Sequence, residues 1–354
     1  MRVAVDCHMA GSPRPGDAGN GRYAVTLTAA LAATAEPGDD CWALIAEPSV
    51  IATLDRRVRY AGVPHSNVRR LLNSAPRALR AIRADRAVFT YVAPMRGATP
   101  VALAVHDASF ITHPQWLAPR ARIMLRHMVP LSIRRARHVW ALSHSAAAEI
   151  CEALGVDPGD IHVVSPGVAP LFRPDDAAAG RVFDRFGLEK YCLAVGDLNP
   201  RKNIPALIEA VTRLDAPGLE LVLVGDAPRG AGPATRDRVR WLGRTDDATL
   251  ADLYRAAAVT AYPSLYEGFG LPVVEAMACG CPVGASDRGA LPEVAGGAAI
   301  LVEPSPRGIA EGLREALHPE TAARLRAAGP VRAAHYSAQA MGTAAWSAVM
   351  EVVG

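Results

Sequence analysis

The segment Pro263-Ser-Leu-Tyr-Glu-Gly-Phe-Gly-Leu-Pro-Val-Val-Glu275 holds the residues best suited to chemistry in this chain of 354 residues. It reads as a turn that opens a helix. Pro272 suits a first helical turn, where its missing N–H would have no partner in any case. Gly268 and Gly270 allow a sharp turn and a close backbone approach to a ligand. The N–H groups of Gly270 and Leu271, with the helix dipole behind them, form an anion site that fits a pyrophosphate. Glu267 lies in the loop, and Glu275 is expected in the first turn of the helix. In one continuous helix the two carboxylates would stand about 80° apart; the glycine loop instead gives them separate tasks. Two carboxylates beside a phosphate repel it unless hydroxyl donors occupy them. Glu267 is therefore expected to accept from sugar hydroxyls and Glu275 from ribose hydroxyls, with a diphosphate between. The plainer alternative, a glycine turn with surface glutamates, leaves the length of the motif unexplained.

Such residues need elements that gather loops at one edge. In the second half, Tyr191–Val195, Leu219–Val224, Val239–Leu242, Val259–Tyr262, Pro282–Ala285 and Ala298–Val302 read as strands. Between them lie helical patterns over Ile204–Leu214, Leu271–Ala278 and Ile309–Leu317. A further helix running to Ala257 is expected to take Thr245 as its cap, with Asp246 and Asp247 in its first turn. This alternation predicts an α/β, doubly wound parallel sheet. The first half repeats the style, with strands at Arg2–Asp6, Trp42–Ala46, Val101–Val105 and His138–Leu142. Its helices are expected at Gly21–Thr34, Leu125–Arg137 and Ser145–Leu154. Three prolines and a glycine in Val164–Pro174 mark a boundary between domains 1–168 and 169–337. The last helix, Ala338–Val352, is expected to carry 338–354 back onto the first domain. Doubly wound sheets bind ligands beyond the carboxyl ends of their strands. Two Rossmann-like sheets facing a central cleft would place the chemistry in the loops after the strands.

Those loops hold further candidates. Arg201 and Lys202 follow the first strand of the second half, and their charges can neutralise a diphosphate leaving group. Lys190 and Lys202 are the only lysines in the chain. His106 and Asp107 end the strand Val101–Val105. The run Gly16–Tyr23 opens a helix after the first strand. As a dinucleotide fingerprint it is weak, because no acidic residue is placed to end a second strand about twenty residues on. No Asp-x-Asp stands on a strand-ending loop; the pairs Asp39-Asp40, Asp175-Asp176 and Asp246-Asp247 read as loops and caps. No catalytic metal and no bound cofactor are expected.

Composition excludes other classes. Half the residues are apolar and the net charge is +3, too small to argue for nucleic acid. The charge is uneven, with 19 Arg/Lys against 13 Asp/Glu in residues 1–169 and 19 against 22 in the rest. Arginines cluster in Arg69–Arg86 and Arg120–Arg137. Solvated helix faces are the plain reading, and attraction to a membrane surface or an anionic acceptor is the other. Six scattered cysteines without a CxxC pair read as small core residues in a reducing compartment. No apolar run reaches the length of about 18 residues needed to span a bilayer. The N-terminus reads as a strand instead of a signal peptide, so the protein is expected in the cytoplasm, with peripheral membrane contact through the arginine-rich first domain as an option.

With these residues in view, the chain resembles the retaining family-4 glycosyltransferases, whose two Rossmann-like domains form the GT-B fold. Pro263–Glu275 looks like their Glu-x7-Glu signature. Gly196-Asp-Leu-Asn-Pro-Arg-Lys-Asn203, Leu223–Asp226, Trp241–Gly243, Leu253–Ala256, Ser286–Val294 and Ile300–Pro304 match in order and spacing, so the resemblance covers nearly the whole chain. Its flavour is that of the bacterial mannosyltransferase-like group. The resemblance implies that Lys202 holds the leaving diphosphate. Many members carry an arginine after the loop glycine where this chain has Asp197, so Arg201 must supply the second charge, alone or with Arg229. A lone histidine is more often structural, but His106 matches the family's cleft histidine and is implied near the anomeric carbon. Asp107 is expected to fix its tautomer or meet the acceptor. Gly19, Gly21 and Arg22 are implied near the donor phosphate, and Gly225, Leu242, Gly268, Phe269, Gly270, Leu271 and Glu275 around the nucleotide-sugar. His106, Glu267, Arg201 and Lys202 form the implied catalytic set.

The resemblance implies retention of anomeric configuration, by front-face attack in which the leaving phosphate takes the proton of an acceptor hydroxyl. GDP-mannose, a UDP-hexose or a dTDP-deoxysugar all suit the motif. The acceptor can be a glycan, a lipid-linked sugar or a small molecule. A nucleotide-sugar epimerase of the same two-domain fold is the nearest alternative. A nicotinamide oxidoreductase lacks its full fingerprint, and a solute-binding protein lacks its export signal.

Overall fold

The computed structural model describes residues 1–12, 17–197, 199–226 and 238–351. The chain divides into two compact units, Met1–Gly167 with Ser337–Gly354, and Val168–Tyr336.

Unit 1 runs β1 (Arg2–Asp6), α1 (Asp17–Thr34), β2 (Asp40–Ile45) and β3 (Arg59–Gly62). A helical stretch follows, made of α2 (Asn67–Arg69), a π turn (Arg70–Ser74) and α3 (Ala75–Ala81). Then come β4 (Arg86–Thr90), β5 (Val101–Ala104), α4 (Ser109–Thr112), α5 (Pro119–Arg135), β6 (His138–Ala141), α6 (His144–Leu154) and β7 (Ile161–Val163). Every pairing in the sheet is parallel, in the order β3-β2-β1-β4-β5-β6-β7. The chain winds outward from β1 one way and from β4 the other, so the β1/β4 crevice is the switch point at which such sheets open to ligands. Val3, Ala4 and Val5 are buried, as are Val88, Phe89 and Leu103. Strands covered on both faces read as near-continuous apolar runs for this reason.

Unit 2 comprises α7 (Ala178–Phe186), β8 (Tyr191–Val195), α8 (Ile204–Thr212), β9 (Glu220–Val224), β10 (Val239–Gly243), α9 (Asp247–Ala256) and β11 (Val259–Tyr262). It continues with α10 (Leu271–Ala278), β12 (Val283–Ser286), α11 (Leu291–Ala295), β13 (Ile300–Val302), α12 (Pro306–Leu317) and α13 (Pro319–Ala333). The six strands are again parallel, in the order β10-β9-β8-β11-β12-β13, with the switch point at β8/β11. Its core joins Leu221 and Leu223 of β9 to Leu207 of α8 and Leu313 of α12.

The last helix, α14 (Ala338–Met350), returns to unit 1 and packs on α1. A Cβ on Gly342 would lie 2.5 Å from the Ala30 carbonyl oxygen, and Trp346 Nε1 donates to the Leu31 carbonyl at 3.0 Å. Five of the six cysteines are buried and all are free, with the thiols of Cys7, Cys41 and Cys279 pushed up to about 12 by burial. Among the described residues no helix is long and apolar enough to cross a membrane.

Several local expectations need correction. Asp246, not Thr245, caps α9: its carboxylate accepts from Thr249 N at 2.7 Å, while Thr245 Oγ1 is buried without a partner. α1 begins at Asp17, so Gly19, Gly21 and Arg22 stand in its first turns instead of a loop. Glu275 is the fifth residue of α10 and occupies its second turn.

Candidate active site

In unit 2 the site is assembled where the loops after β8, β9 and β11 meet. Gly196 (φ +139°) and Gly225 (φ +143°) take backbone conformations that side chains rarely adopt. A Cβ on Gly225 would stand 2.2 Å from the Gly196 carbonyl oxygen, so these two loops touch backbone to backbone. After Gly196 a short turn, Pro200–Lys202, presents the two basic side chains. Asn203 fixes it by donating from Nδ2 to the Pro304 carbonyl at 2.7 Å and the Pro263 carbonyl at 3.3 Å. Leu265 N donates to the Arg201 carbonyl at 2.8 Å, which ties this turn to the loop after β11.

The side chains converge on Glu267. Lys202 Nζ donates to its Oε1 at 2.7 Å, and Arg201 Nη1 to its Oε2 at 3.2 Å. Lys202 Nζ also reaches the Tyr262 hydroxyl at 2.5 Å, with the ring 4.5 Å away. Burial alone would raise the Glu267 carboxyl, but Arg201 and Lys202 outweigh it and hold the pKa at about 2. Burial pushes the Lys202 ammonium down, and Glu267 opposes that shift. The group therefore sets two basic side chains on one ionised carboxylate in a poorly solvated place, with Asp197 acting on Lys202 from farther off. Basic donors held there suit an anion. The loop is held from behind: Ala290 N donates to the Glu267 carbonyl at 2.9 Å, and a Cβ on Gly289 would stand 2.4 Å from that oxygen.

Gly270 starts α10 with φ +97° and no side-chain cap. Pro272 has no N–H and Val273 N donates to the Gly270 carbonyl at 2.9 Å, so the N–H groups of Gly270 and Leu271 are the ones that face whatever lies before the helix. Phe269 turns its ring into the core against Tyr336, at 5.1 Å between centroids, which leaves only its backbone for a ligand. Glu275 is 2% exposed and accepts from the Tyr254 hydroxyl at 3.3 Å. Gly225 and Leu242 stand at the carboxyl ends of the neighbouring strands β9 and β10. Arg229 lies outside the described residues.

In unit 1, His106 follows β5 at the carboxyl edge of the sheet. It is 7% exposed and packed edge-on against Tyr23 at 4.6 Å, with Tyr91 at 5.3 Å. Burial pushes its imidazole down to about 3, so the ring is neutral at physiological pH. Its Nε2 and the Tyr23 hydroxyl are buried without hydrogen-bond partners. Gly21 is required by contact: a Cβ there would stand 2.7 Å from the Ala10 Cα. Gly19 meets nothing within 4 Å. Asp107 does not fix the His106 tautomer; its Oδ1 accepts from Ser109 N at 3.0 Å and Ser109 Oγ at 2.6 Å.

Sequence reasoning missed a buried chain at the end of β1, in which Arg70 pairs with Asp6 and Asp6 Oδ2 meets His8 Nδ1 at 3.0 Å. Arginine in a basic run looked like a solvated face; the π turn rotates Arg70 inward. Tyr254, inside the Leu253–Ala256 match, and Tyr262, at the end of a predicted strand, carry no role in the sequence reading, though each places a hydroxyl beside a named glutamate. Among the described residues no cluster of His, Cys, Asp and Glu is placed to hold a metal ion.

Two family models cover most of the chain. One described as glycosyl transferases group 1 matches residues 189–318, and one described as glycosyltransferase family 4 matches residues 19–170. The chain thus carries a glycosyltransferase family 4 domain followed by a glycosyl transferases group 1 domain. An O-antigen chain mannosyltransferase B of Escherichia coli is 32% identical over 220 residues, 56% of each chain. A D-inositol 3-phosphate glycosyltransferase of Mycobacteroides abscessus is 39% identical over 163 residues, 41% of this chain and 36% of its own length. The matches thus span about half or less of these relatives. Among solved structures, the sucrose-phosphate synthase of Thermosynechococcus elongatus has a TM-score of 0.81 at 21% identity, over 99% of both chains. Anabaena HepE in complex with UDP and glucose gives 0.77 at 18% identity, over 99% of this chain and 100% of its own. Both likenesses concern the GT-B fold alone.

Proposed function

We propose that this glycosyltransferase moves a hexose from a nucleoside-diphosphate sugar to a hydroxyl acceptor, with retention of configuration and without a metal. One observation carries the reading: Arg201 and Lys202 share a single buried carboxylate, Glu267, next to the glycine-opened start of α10. A diphosphate placed there meets the two basic side chains and the N–H groups of Gly270 and Leu271. As the bond from the anomeric carbon to the phosphate oxygen breaks, charge develops on that oxygen, and donors fixed in advance stabilise it most where water is scarce. The acceptor oxygen bonds to the anomeric carbon, and its proton passes to the leaving phosphate. Glu267, held ionised by Arg201 and Lys202, is placed to accept from a sugar hydroxyl. Glu275 would take the ribose hydroxyls with Tyr254 beside it, and neutral His106 would orient the donor sugar.

The name of the Escherichia coli relative favours a mannosyl donor, and the ligands of HepE favour a UDP-hexose. The acceptor class ranges over glycans, lipid-linked sugars and small molecules. The reading is tested by thermal shift against UDP, GDP and their hexose conjugates, since a ligand of the native state raises the melting temperature. Stabilisation by a nucleotide-sugar, lost in Lys202→Ala, is the expected result. Incubating the enzyme with that donor alone separates the alternative: an epimerase inverts the sugar without an acceptor, whereas this enzyme returns it unchanged. The anomeric proton coupling of the product reports retention, and unaltered turnover in chelator reports independence of metal.

A further inference from the structure

The surface of unit 1 formed by α5 and the α2–α3 stretch is apolar and basic at once, a combination that water alone does not favour. Ile123 is 59% exposed, Leu131 41%, Val68 68% and Leu72 61%. Asn67 Nδ2 meets Met124 Sδ at 3.9 Å, so the two helical stretches adjoin and their exposed apolar side chains belong to one face. On α5, Arg120, His127 and Arg134 recur every seven residues, which lines them up along the helix. The same spacing puts Met124 and Leu131 on one side of that row, with Ile123 on the other. Arg69, Arg77 and Arg80 are exposed on the neighbouring stretch. From residue 67 to residue 135, the stretch that carries both helical parts of this face, the chain holds twelve arginines, of which Arg70 is buried on Asp6, and only two acidic residues, Asp85 and Asp107.

We infer that this face docks unit 1 onto an anionic lipid surface. Charge selects the occupant. A basic surface almost free of acid repels a second copy of itself, and a nucleic acid would leave the four large apolar side chains in water. A lipid interface takes both kinds at once: apolar side chains enter the acyl boundary while arginines reach the headgroups from long apolar stems. α5 has 17 residues, or about 25 Å, and lies along the surface; it is neither apolar enough nor long enough to cross it. The proposal concerns unit 1 alone and does not depend on the transfer reaction.

Cosedimentation of the full chain with vesicles of phosphatidylcholine, and of phosphatidylcholine mixed with phosphatidylglycerol, tests it. The protein is expected to pellet with the anionic vesicles only, and less as salt rises. Ile123→Gln with Leu131→Gln should lower the partition coefficient about tenfold or more, and Arg120→Gln with Arg134→Gln should lower it as well. These side chains are exposed, so both double variants should keep the wild-type melting temperature. Protein left in the supernatant with both vesicle types would overturn the proposal. So would apolar variants that bind vesicles like the wild type while heparin competes fully, which would mark simple polyanion attraction. A dimer that the apolar variants dissolve, without vesicle binding, would assign the face to a second copy instead.

Discussion

Lys202 and His106 show at the scale of one residue how burial sets chemistry. Lys202 is nearly out of water, which pushes its ammonium pKa down, and the hydrogen-bonded Glu267 opposes that shift. Lys202→Ala leaves Glu267 with Arg201 alone, and the diphosphate loses a charge-assisted partner. Affinity for UDP or GDP, measured by calorimetric titration, should fall about ten- to a hundredfold. The exposed Lys190 gives the control, since Lys190→Ala should leave affinity unchanged. His106 titrates at about 3 when folded, against 6.5 for an ordinary histidine. The unfolded chain binds that proton more readily between the two values. Stability from this group is therefore complete above pH 6.5 and declines as pH drops toward 3, by at most about 1.4 kcal/mol per pH unit. His106→Gln should flatten the melting temperature against pH in that window relative to wild type. An equal slope in both proteins would mean that the imidazole is not held neutral.

Whole loops, more than single side chains, set the unit 2 site, and the decisive contact is Gly225 against Gly196. Gly225→Ala adds a Cβ 2.2 Å from a carbonyl oxygen at φ +143°, so the β8 and β9 loops must part. The variant should lose roughly 2–3 kcal/mol by denaturant titration. It should also weaken nucleotide binding, because the β8 loop carries Arg201 and Lys202. A stability loss with intact affinity would separate the loop contact from the site. The same elements show what the sequence could tell. Five of the six strands of unit 2 are legible because buried parallel strands are short apolar runs with glycine or polar ends. The sixth, β10, is an edge strand with only Val239 buried, and it is legible through its Trp241–Gly243 match. In unit 1 three strands escape notice. β3 is an edge strand with three of its four residues exposed. β4 is buried but opens at the end of the arginine cluster Arg69–Arg86, which reads as a solvated helix face. β7 has only three residues, none of them buried. α13 escapes because Gly329 and Pro330 look like breakers. There the glycine is needed for close packing, with a Cβ position 2.8 Å from the Met277 carbonyl oxygen. Within the site, Arg201, Lys202 and Glu267 were legible from type and spacing. The inward turn of Arg70 was not, since a run of arginines carries no mark of which one finds a buried aspartate.

At the scale of the whole molecule, sequence order and fold part company. The final helix belongs to the first unit, so the chain passes between units twice, near Gly167 and again near Tyr336. The second passage is secured by small residues: α14 meets α1 so closely that Gly342 has no room for a Cβ beside Ala30 and Thr34. Gly342→Leu would have to lift α14 away, uncovering the buried Leu31 and breaking the Trp346 hydrogen bond to its carbonyl. Overpacking of this kind should cost about 2 kcal/mol or more. That loss should fall on unit 1 alone, because α14 makes its core with α1. In calorimetry the variant should melt unit 1 earlier, while UDP or GDP still stabilises unit 2 by as much as in the wild type. Limited proteolysis should cut first within residues 1–167 or the C-terminal helix. If nucleotide stabilisation vanished together with unit 1, the two cores would behave as one cooperative body, and the returning helix would be part of what holds the donor site.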